Sequence, residues 1–307
     1  MDISTSRSIS ACSTRSRGGS RATLPSNDLT SKKEVAALLS KAGIHPSKRL
    51  GQNFLVNGAV LDTIIGEVSS AHPRVIVEIG AGLGTVTCKL ARIANRVIAV
   101  ELDRRLVGIL RQTVGQEGNV EIRQQDFLSF SLVEELAGDK AFVVGNIPYR
   151  ITAPILKHLV QQREHISSAL LLTQNEVATK IAHSPGKDGT SLGVLVQAYA
   201  DVKLLRSVPR GSFFPVPEVD STLWAISFLD SPRFMTNAED FFAIVRAVYG
   251  VRRKMIRGAL RDLFPNENIE ELLRSVDIDP TLRGEVLGFA QLDAIARSLT
   301  DFGQDRL

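Results

Sequence analysis

The chain has 307 residues, 44% of them hydrophobic and 23% charged, which suits an ordinary globular protein with about two domains. Its net charge of +4 permits a polyanionic partner without demanding one. No uncharged run exceeds twelve residues, which leaves no room for a transmembrane helix, and Cys12, Cys88 and five scattered His exclude a disulfide framework and a structural metal site.

Residues 1–30 are rich in Ser, Arg, Gly and Thr and show almost no apolar periodicity, so they are expected to be disordered. The same Arg-rich, acid-poor composition resembles an organelle transit peptide, although Asp2 fits that poorly and a solvated extension of a cytoplasmic protein is preferred. Ser31-Lys32-Lys33-Glu34 has capping-box spacing before Val35, Leu38 and Leu39, predicting a helix. A second helix is predicted over 58–68, where Val60, Leu61, Ile64, Ile65 and Val68 share one face. Short β-branched runs follow at 75–79, 97–101, 120–123, 142–146 and 169–172. Helix-period segments fall between them near 85–93, 104–114 and 153–161. That alternation predicts a parallel sheet covered on both faces. Two further runs, 202–208 and 223–228, are joined by a Pro-rich loop instead of a helix and should pair antiparallel at the sheet edge. Beyond Phe228 the pattern is purely helical, at 238–248, 252–263, 269–274 and 290–299. The expected class is therefore α/β, with seven strands in a Rossmann-like sheet and a small all-helical C-terminal domain. The expected domains are 31–229 and 230–307.

The run Val75-Ile76-Val77-Glu78-Ile79-Gly80-Ala81-Gly82-Leu83-Gly84-Thr85 is a strand, a glycine loop and a helix start. Glycines there let a ligand approach the backbone closely. The next strand ends at Glu101, where an acid commonly takes both ribose hydroxyls of a nucleoside cofactor. A loop of this kind serves dinucleotides and S-adenosyl-L-methionine alike. The G-x-G-x-G spacing and the acid Glu78 just before it favour S-adenosyl-L-methionine.

Asn146-Ile147-Pro148-Tyr149 sits at the carboxyl end of the fourth predicted strand, where open α/β sheets bind their ligands. An exocyclic adenine amine is a poor nucleophile because its lone pair is delocalised. Acceptors on its two N–H bonds, Asn146 Oδ1 and the Ile147 carbonyl, would aim that lone pair at a methyl group. Tyr149 would stack on the base.

These motifs make the chain resemble the ribosomal RNA adenine dimethyltransferases that modify two adjacent adenosines near the 3′ end of small-subunit rRNA. The resemblance spans about residues 31–300 and is carried by Gly51-Gln52-Asn53-Phe54-Leu55, the 78–84 loop, Val100-Glu101-Leu102-Asp103 and Asn146-Ile147-Pro148-Tyr149. Further markers are Gln174-Asn175-Glu176-Val177, Phe214-Pro215-Val216-Pro217-Glu218-Val219-Asp220-Ser221 and Arg252-Arg253-Lys254. The resemblance implies that Asn53 and Leu55 line the cofactor pocket, with Gly80 under the methionine part and Glu101 on the ribose. It also implies that Asp126 meets the adenine amine and that Asn146 sits between cofactor and target. Tyr149 and Phe213 would sandwich a flipped adenine. It implies partners as well: small-subunit rRNA within a pre-30S particle, no membrane, and action as a monomer. The chain departs from the family at Gln125, which precedes Asp126 in place of Gly, and at Gly189-Thr190-Ser191, where an aromatic-Gly-basic step is usual.

The three charge segments, 1–30, 31–228 and 229–307, carry +2, +4 and −2. Within the acidic last segment, no acid interrupts the six basic residues from Arg246 to Arg261. Arg253, Arg257 and Arg261 recur every four residues, a helical face flanked by Arg252 and Lys254, and are expected to hold RNA phosphates. Rival readings are a dinucleotide-dependent oxidoreductase, a non-catalytic ribosome-assembly factor and a large-subunit methyltransferase of the erythromycin-resistance type.

Overall fold

The structure, a computed structural model, describes residues 29–251 and 254–304. The disorder and transit-peptide readings of the N-terminus, and the contacts assigned to Arg252 and Arg253, lie outside the described residues.

Helix α1 (Lys32–Lys41) starts as the capping box requires, with Ser31 accepting the Glu34 N–H at 3.2 Å. A two-residue strand, β1 (Phe54–Leu55), leads into α2 (Gly58–Ser70), which buries Val60, Leu61, Ile64 and Val68. The doubly wound part follows: β2 (Val75–Ile79), α3 (Thr87–Leu90), β3 (Arg96–Glu101), α4 (Arg104–Val114), β4 (Val120–Gln124), α5 (Leu132–Leu136), β5 (Ala141–Asn146), α6 (Thr152–Gln161) and β6 (Ile166–Gln174). Next come α7 (Asn175–Ala182), α8 (Ser191–Tyr199), β7 (Ala200–Val208), a second two-residue strand β8 (Phe213–Phe214) and β9 (Ser221–Phe228).

The main sheet has the order β4-β3-β2-β5-β6-β9-β7. Its first five strands are parallel, and β9 is antiparallel to both β6 and β7. The predicted antiparallel edge pair is therefore present. Alternate residues of β2 serve opposite faces. Val75, Val77 and Ile79 pack with Ile155, Leu156 and Leu159 of α6, while Ile76 packs with Leu61, Ile64 and Val68 of α2. The indole of Trp224, fully buried in β9, donates to Thr173 Oγ1 at 3.0 Å, so no polar group is stranded there.

Strand order reverses on either side of β2, and that reversal opens a crevice at the carboxyl ends. Ile79 pairs with Val100 on one side and Gly145 on the other, so Gly80, Glu101 and Asn146 emerge at one level.

After β9 the chain is helical: α9 (Ala238–Gly250), α10 (Ile256–Leu263), α11 (Ile269–Ser275) and α12 (Phe289–Gln304). The helices share one continuous apolar core with the sheet through Tyr199, Phe234 and Phe241. Phe234 stacks on Phe241 at 4.3 Å between centroids, and Tyr199 meets Phe234 edge-on. The linker is also pinned by polar contacts. Asp293 of α12 accepts the N–H groups of Met235 and Thr236, while Arg233 donates to the Ala200 carbonyl and to Asp201. Phe241→Ala should cost about 3–5 kcal/mol of stability, the scale for emptying a buried aromatic site. Denaturant unfolding checks this, and a change under 1 kcal/mol would show that the core is not shared.

The predicted helix over 252–263 is corrected. It begins at Ile256, because the chain before it runs as a bridge: Met255 pairs with Arg283, and the Ile256 N–H donates to Leu282 O at 2.8 Å. Arg257 and Arg261 keep their common helical face, but Lys254 lies ahead of the helix.

Candidate active site

The crevice at the carboxyl ends of β2, β3, β4 and β5 is a cavity of about 240 Å³. All eight residues assigned to catalysis and cofactor binding from the sequence line it: Asn53, Leu55, Gly80, Glu101, Asp126, Asn146, Tyr149 and Phe213.

Gly80 leaves β2 with φ +69°, a left-handed conformation that L side chains rarely adopt, and a Cβ built there meets nothing within 4 Å. Its backbone therefore borders open space. Glu101 is 7% exposed, and both its oxygens are fixed: Oε2 accepts the Gly82 N–H and Oε1 the Asp103 N–H, each at 2.8 Å. Burial pushes its pKa upward, and these backbone donors work against that. The remaining lone pairs are free to accept from a vicinal diol. Asp126 Oδ1 caps the turn after β4 by accepting the Leu128 N–H, leaving Oδ2 without a partner among the described residues. Gln125 turns its amide onto Ser129 O at 2.9 Å, so the departure at that position reinforces the same turn.

Glu78 lies under the glycine loop, 4% exposed, and accepts from Thr87 Oγ1 at 2.6 Å. Burial pushes its carboxyl up to about 8, aided by the charge of Glu101 and offset by the Thr87 hydroxyl. Folding therefore favours protonated Glu78, whereas the unfolded chain ionises it near 4.5. Stability should fall as pH rises from about 4.5 to about 8 and level off above. In the ligand-free protein, Glu78→Gln should raise the melting temperature relative to wild type more at pH 8 than at pH 5. An equal difference at both pH values would refute the shift.

Asn146 donates its amide N–H to the Asn53 carbonyl at 2.7 Å. That contact turns Oδ1, an acceptor, away from Asn53, and Oδ1 has no donor among the described residues. The next residue is anchored through its N–H to Leu172 O at 2.9 Å, and its own carbonyl likewise accepts nothing among the described residues. Tyr149 is held by its hydroxyl, 3.1 Å from Ser221 Oγ, which leaves the ring half-buried at the cavity wall.

Strands β1 and β8 account for Phe213. They pair antiparallel, Leu55 with Phe213 and Phe54 with Phe214, and Asn57 reinforces them through Ser212 Oγ at 3.0 Å. Phe213 is 1% exposed and forms a fixed wall with Leu55, Ile64, Val144 and Leu172. It makes no ring contact with Tyr149 among the described residues.

A polar latch escaped the sequence reading. Gln52 accepts the Ser47 N–H and donates to Asp103 Oδ2 at 2.9 Å, and Asp103 also caps α4 and binds Arg105. The Arg105 guanidinium holds the Asp103 carboxyl down at about 2. Gln52 and Asp103 both belong to motifs evident in the sequence, but their pairing across 51 residues has no local signal.

The loop departing at Gly189-Thr190-Ser191 is well built. Thr190 caps α8 by accepting the Gly193 N–H, and its own N–H donates to Ser184 Oγ at 3.0 Å.

The basic cluster differs from its sequence picture in electrostatics. Although no acid interrupts it in sequence, Glu270 of α11 reaches Arg257 at 3.0 Å and Arg261 at 3.8 Å, and Arg274 meets the same carboxylate at 3.7 Å. Lys254 pairs with Asp262 at 2.7 Å. The cluster is thus partly neutralised by acids brought in by the fold.

A seven-stranded doubly wound sheet, a glycine turn after its first strand and a buried carboxylate at the end of its second define a class I S-adenosylmethionine-dependent methyltransferase. The open space above Gly80 and the fixed oxygens of Glu101 fit that cofactor. The ribosomal RNA adenine dimethylase family matches residues 45–292, and the chain belongs to that family. It is 38% identical over 275 residues to "Ribosomal RNA small subunit methyltransferase A" of Moorella thermoacetica, covering 86% of this chain and 96% of that one. The protein of the same name from Alkaliphilus oremlandii is 34% identical, covering 88% and 98%. Among solved structures, a dimethyladenosine transferase from Plasmodium falciparum superposes with TM-score 0.69 at 23% identity, covering 83% of this chain and 98% of that one. The 23S rRNA methyltransferase ErmE superposes with TM-score 0.63 at 24% identity, covering 81% and 100%. The chain is an S-adenosylmethionine-dependent rRNA adenine dimethyltransferase. Among the described residues no helix is long and apolar enough to cross a membrane.

Proposed function

We propose that the chain dimethylates N6 of two adjacent adenosines near the 3′ end of small-subunit rRNA, acting as a cytoplasmic monomer on a pre-30S particle. The small-subunit choice is supported by relatives at 34–38% identity that carry that name. The likeness to ErmE is one of fold. The bacterial relatives support the cytoplasm over an organelle.

The observation that carries the chemistry is the unspent acceptor Oδ1 of Asn146 beside the free carbonyl of Ile147, on the same cavity as Glu101 and Gly80. Glu101 takes the ribose hydroxyls, Asp126 the adenine amine, Gly80 lies under the methionine part, and Asn53 and Leu55 line the cofactor pocket. When bound, S-adenosylmethionine supplies an electrophilic methyl group on a sulfonium. Asn146 and Ile147 accept the two N–H bonds of the target amine and point its lone pair at that methyl. Tyr149 and Phe213 flank the extruded base, which must leave its stack to reach them. The amine proton becomes acidic as nitrogen gains the methyl group and passes to solvent, so no strong general base is required. Holding the partners aligned supplies much of the acceleration.

We further propose that residues 31–229 perform the transfer while 230–307 hold RNA through Arg252, Arg253, Lys254, Arg257 and Arg261. Incubation of unmethylated small and large subunits with labelled S-adenosylmethionine tests the substrate. Label on small-subunit adenosines is expected; label on large-subunit rRNA alone would overturn the reading.

A further inference from the structure

We propose that Arg49 and Arg150 form a two-arginine clamp at the mouth of the cavity, gripping backbone phosphates on either side of the extruded adenosine. The proposal rests on the functional reading above and adds a positioning element to it.

The two segments that carry these residues run against each other. Asn146 donates to the carbonyl of Asn53 at 2.7 Å, and two residues further along each segment a Cβ on Gly51 would lie 3.0 Å from Pro148 Cβ. Another two-residue step on each side reaches Arg49 and Arg150. Both line the cavity and both are exposed. They therefore flank the wall that holds Tyr149 and the Asn146 acceptor.

Neither position is floppy. Arg49 sits at the tip of a turn closed by Gly51 N to Lys48 O and Gln52 N to Ser47 O, each at 3.2 Å. That turn is latched to Asp103 through Gln52. Arg150 lies in the single helical turn Tyr149–Ile151, closed by Ile151 N to Pro148 O at 3.0 Å. Several other arginines of this chain are engaged. Arg210 is tied through its N–H to Asp220 and through its guanidinium to Glu218 O, and Arg96 and Arg123 are paired with Glu121 and Glu135. Arg49 and Arg150 make no hydrogen bond or ion pair among the described residues. Two unpaired guanidiniums on rigid backbone, a few residues from where a nucleobase is to be stacked, match the phosphates that a flipped nucleotide necessarily brings with it. They would fix the register of the strand, so that the base enters with its amine toward Asn146.

The test uses the full chain, unmethylated small subunits and a range of KCl concentrations. For the variant carrying both Arg49→Gln and Arg150→Gln, the particle KM should rise about tenfold, and the log–log salt slope of kcat/KM should become shallower by about 0.7 per arginine. S-adenosylmethionine affinity by calorimetry should stay within about twofold of wild type, since the clamp is proposed to grip RNA phosphates and not the cofactor. The double Arg→Lys variant keeps both charges and should keep most of the salt slope, and it decides the matter if the Gln variant melts early. An unchanged KM and slope in the Gln variant would overturn the clamp, as would a Lys variant that loses the slope just as fully. Wild-type protein that fails to methylate small subunits would defeat the functional reading instead.

Discussion

Asn146→Ala should lower kcat for methyl transfer about 100-fold or more while S-adenosylmethionine still binds within a few-fold of wild type. The reason lies in how the amide is used. One N–H is committed to the Asn53 carbonyl, which leaves Oδ1 as the side chain's unspent acceptor for the target amine. An acceptor that engages the amine most strongly as nitrogen gains positive charge stabilises the transition state more than the ground state. Removing one such preorganised group typically costs about 10²–10³ in rate. The lost bond to Asn53 leaves a carbonyl unpaired, a cost of about 1 kcal/mol in stability. Single-turnover rates and calorimetry separate the two effects, and a variant with full kcat would remove Asn146 from the mechanism.

Glu101→Ala should act on binding instead. Among the described residues the carboxylate is the one partner of the Gly82 and Asp103 N–H groups, at 2.8 Å each, and in the proposed reading it also accepts from the ribose. Its loss unfastens the glycine loop and removes the charge-assisted bonds to the diol together. We expect about 2–4 kcal/mol of lost affinity, a dissociation constant higher by roughly 30- to 1000-fold, and a lower melting temperature. Saturating cofactor should restore much of kcat, because in the proposed arrangement Glu101 takes the ribose and not the transferred methyl. An unchanged dissociation constant would show that the ribose sits elsewhere.

The sequence patterns reached the sheet with little error, because the central strands β2, β3 and β5 are apolar runs buried along nearly their whole length, while the edge strands β4 and β7 are more exposed but still bounded by turn residues. The seven strands and the antiparallel edge are those expected. Helix α3 is shorter than its periodic stretch, four residues from Thr87 to Leu90, since the glycine loop occupies what precedes it. Strands β1 and β8 were invisible: two residues have no periodicity, and their pairing joins Leu55 to Phe213 across most of the sheet domain. Helices α7 and α8 were likewise unmarked; α8 is apolar on nearly all sides, burying Val194, Val196, Ala198 and Tyr199, so it shows little amphipathic signal.

The site was legible in its members and not in its couplings. Glycine turns, a strand-end acid and an amide before proline are local signatures. The Asn53–Asn146 bond, the Gln52–Asp103 latch and the clasp of Ser221 on Tyr149 depend on chain segments 51 to 93 residues apart. The arginine cluster shows the same limit from the other side. Spacing placed Arg257 and Arg261 on one face correctly, but only the packing of α11 on α10 brings Glu270 among them.

The central claim is that one cavity brings a sulfonium methyl group to the exocyclic nitrogen of an adenosine twice. Its most direct test is to incubate the full chain with unmethylated small subunits and methyl-labelled S-adenosylmethionine, digest the rRNA to nucleosides and quantify the products by mass spectrometry. N6,N6-dimethyladenosine carrying both labels, abolished in Asn146→Ala, is the expected result; label on ribose or on another base, or no methylated adenosine at all, would contradict it.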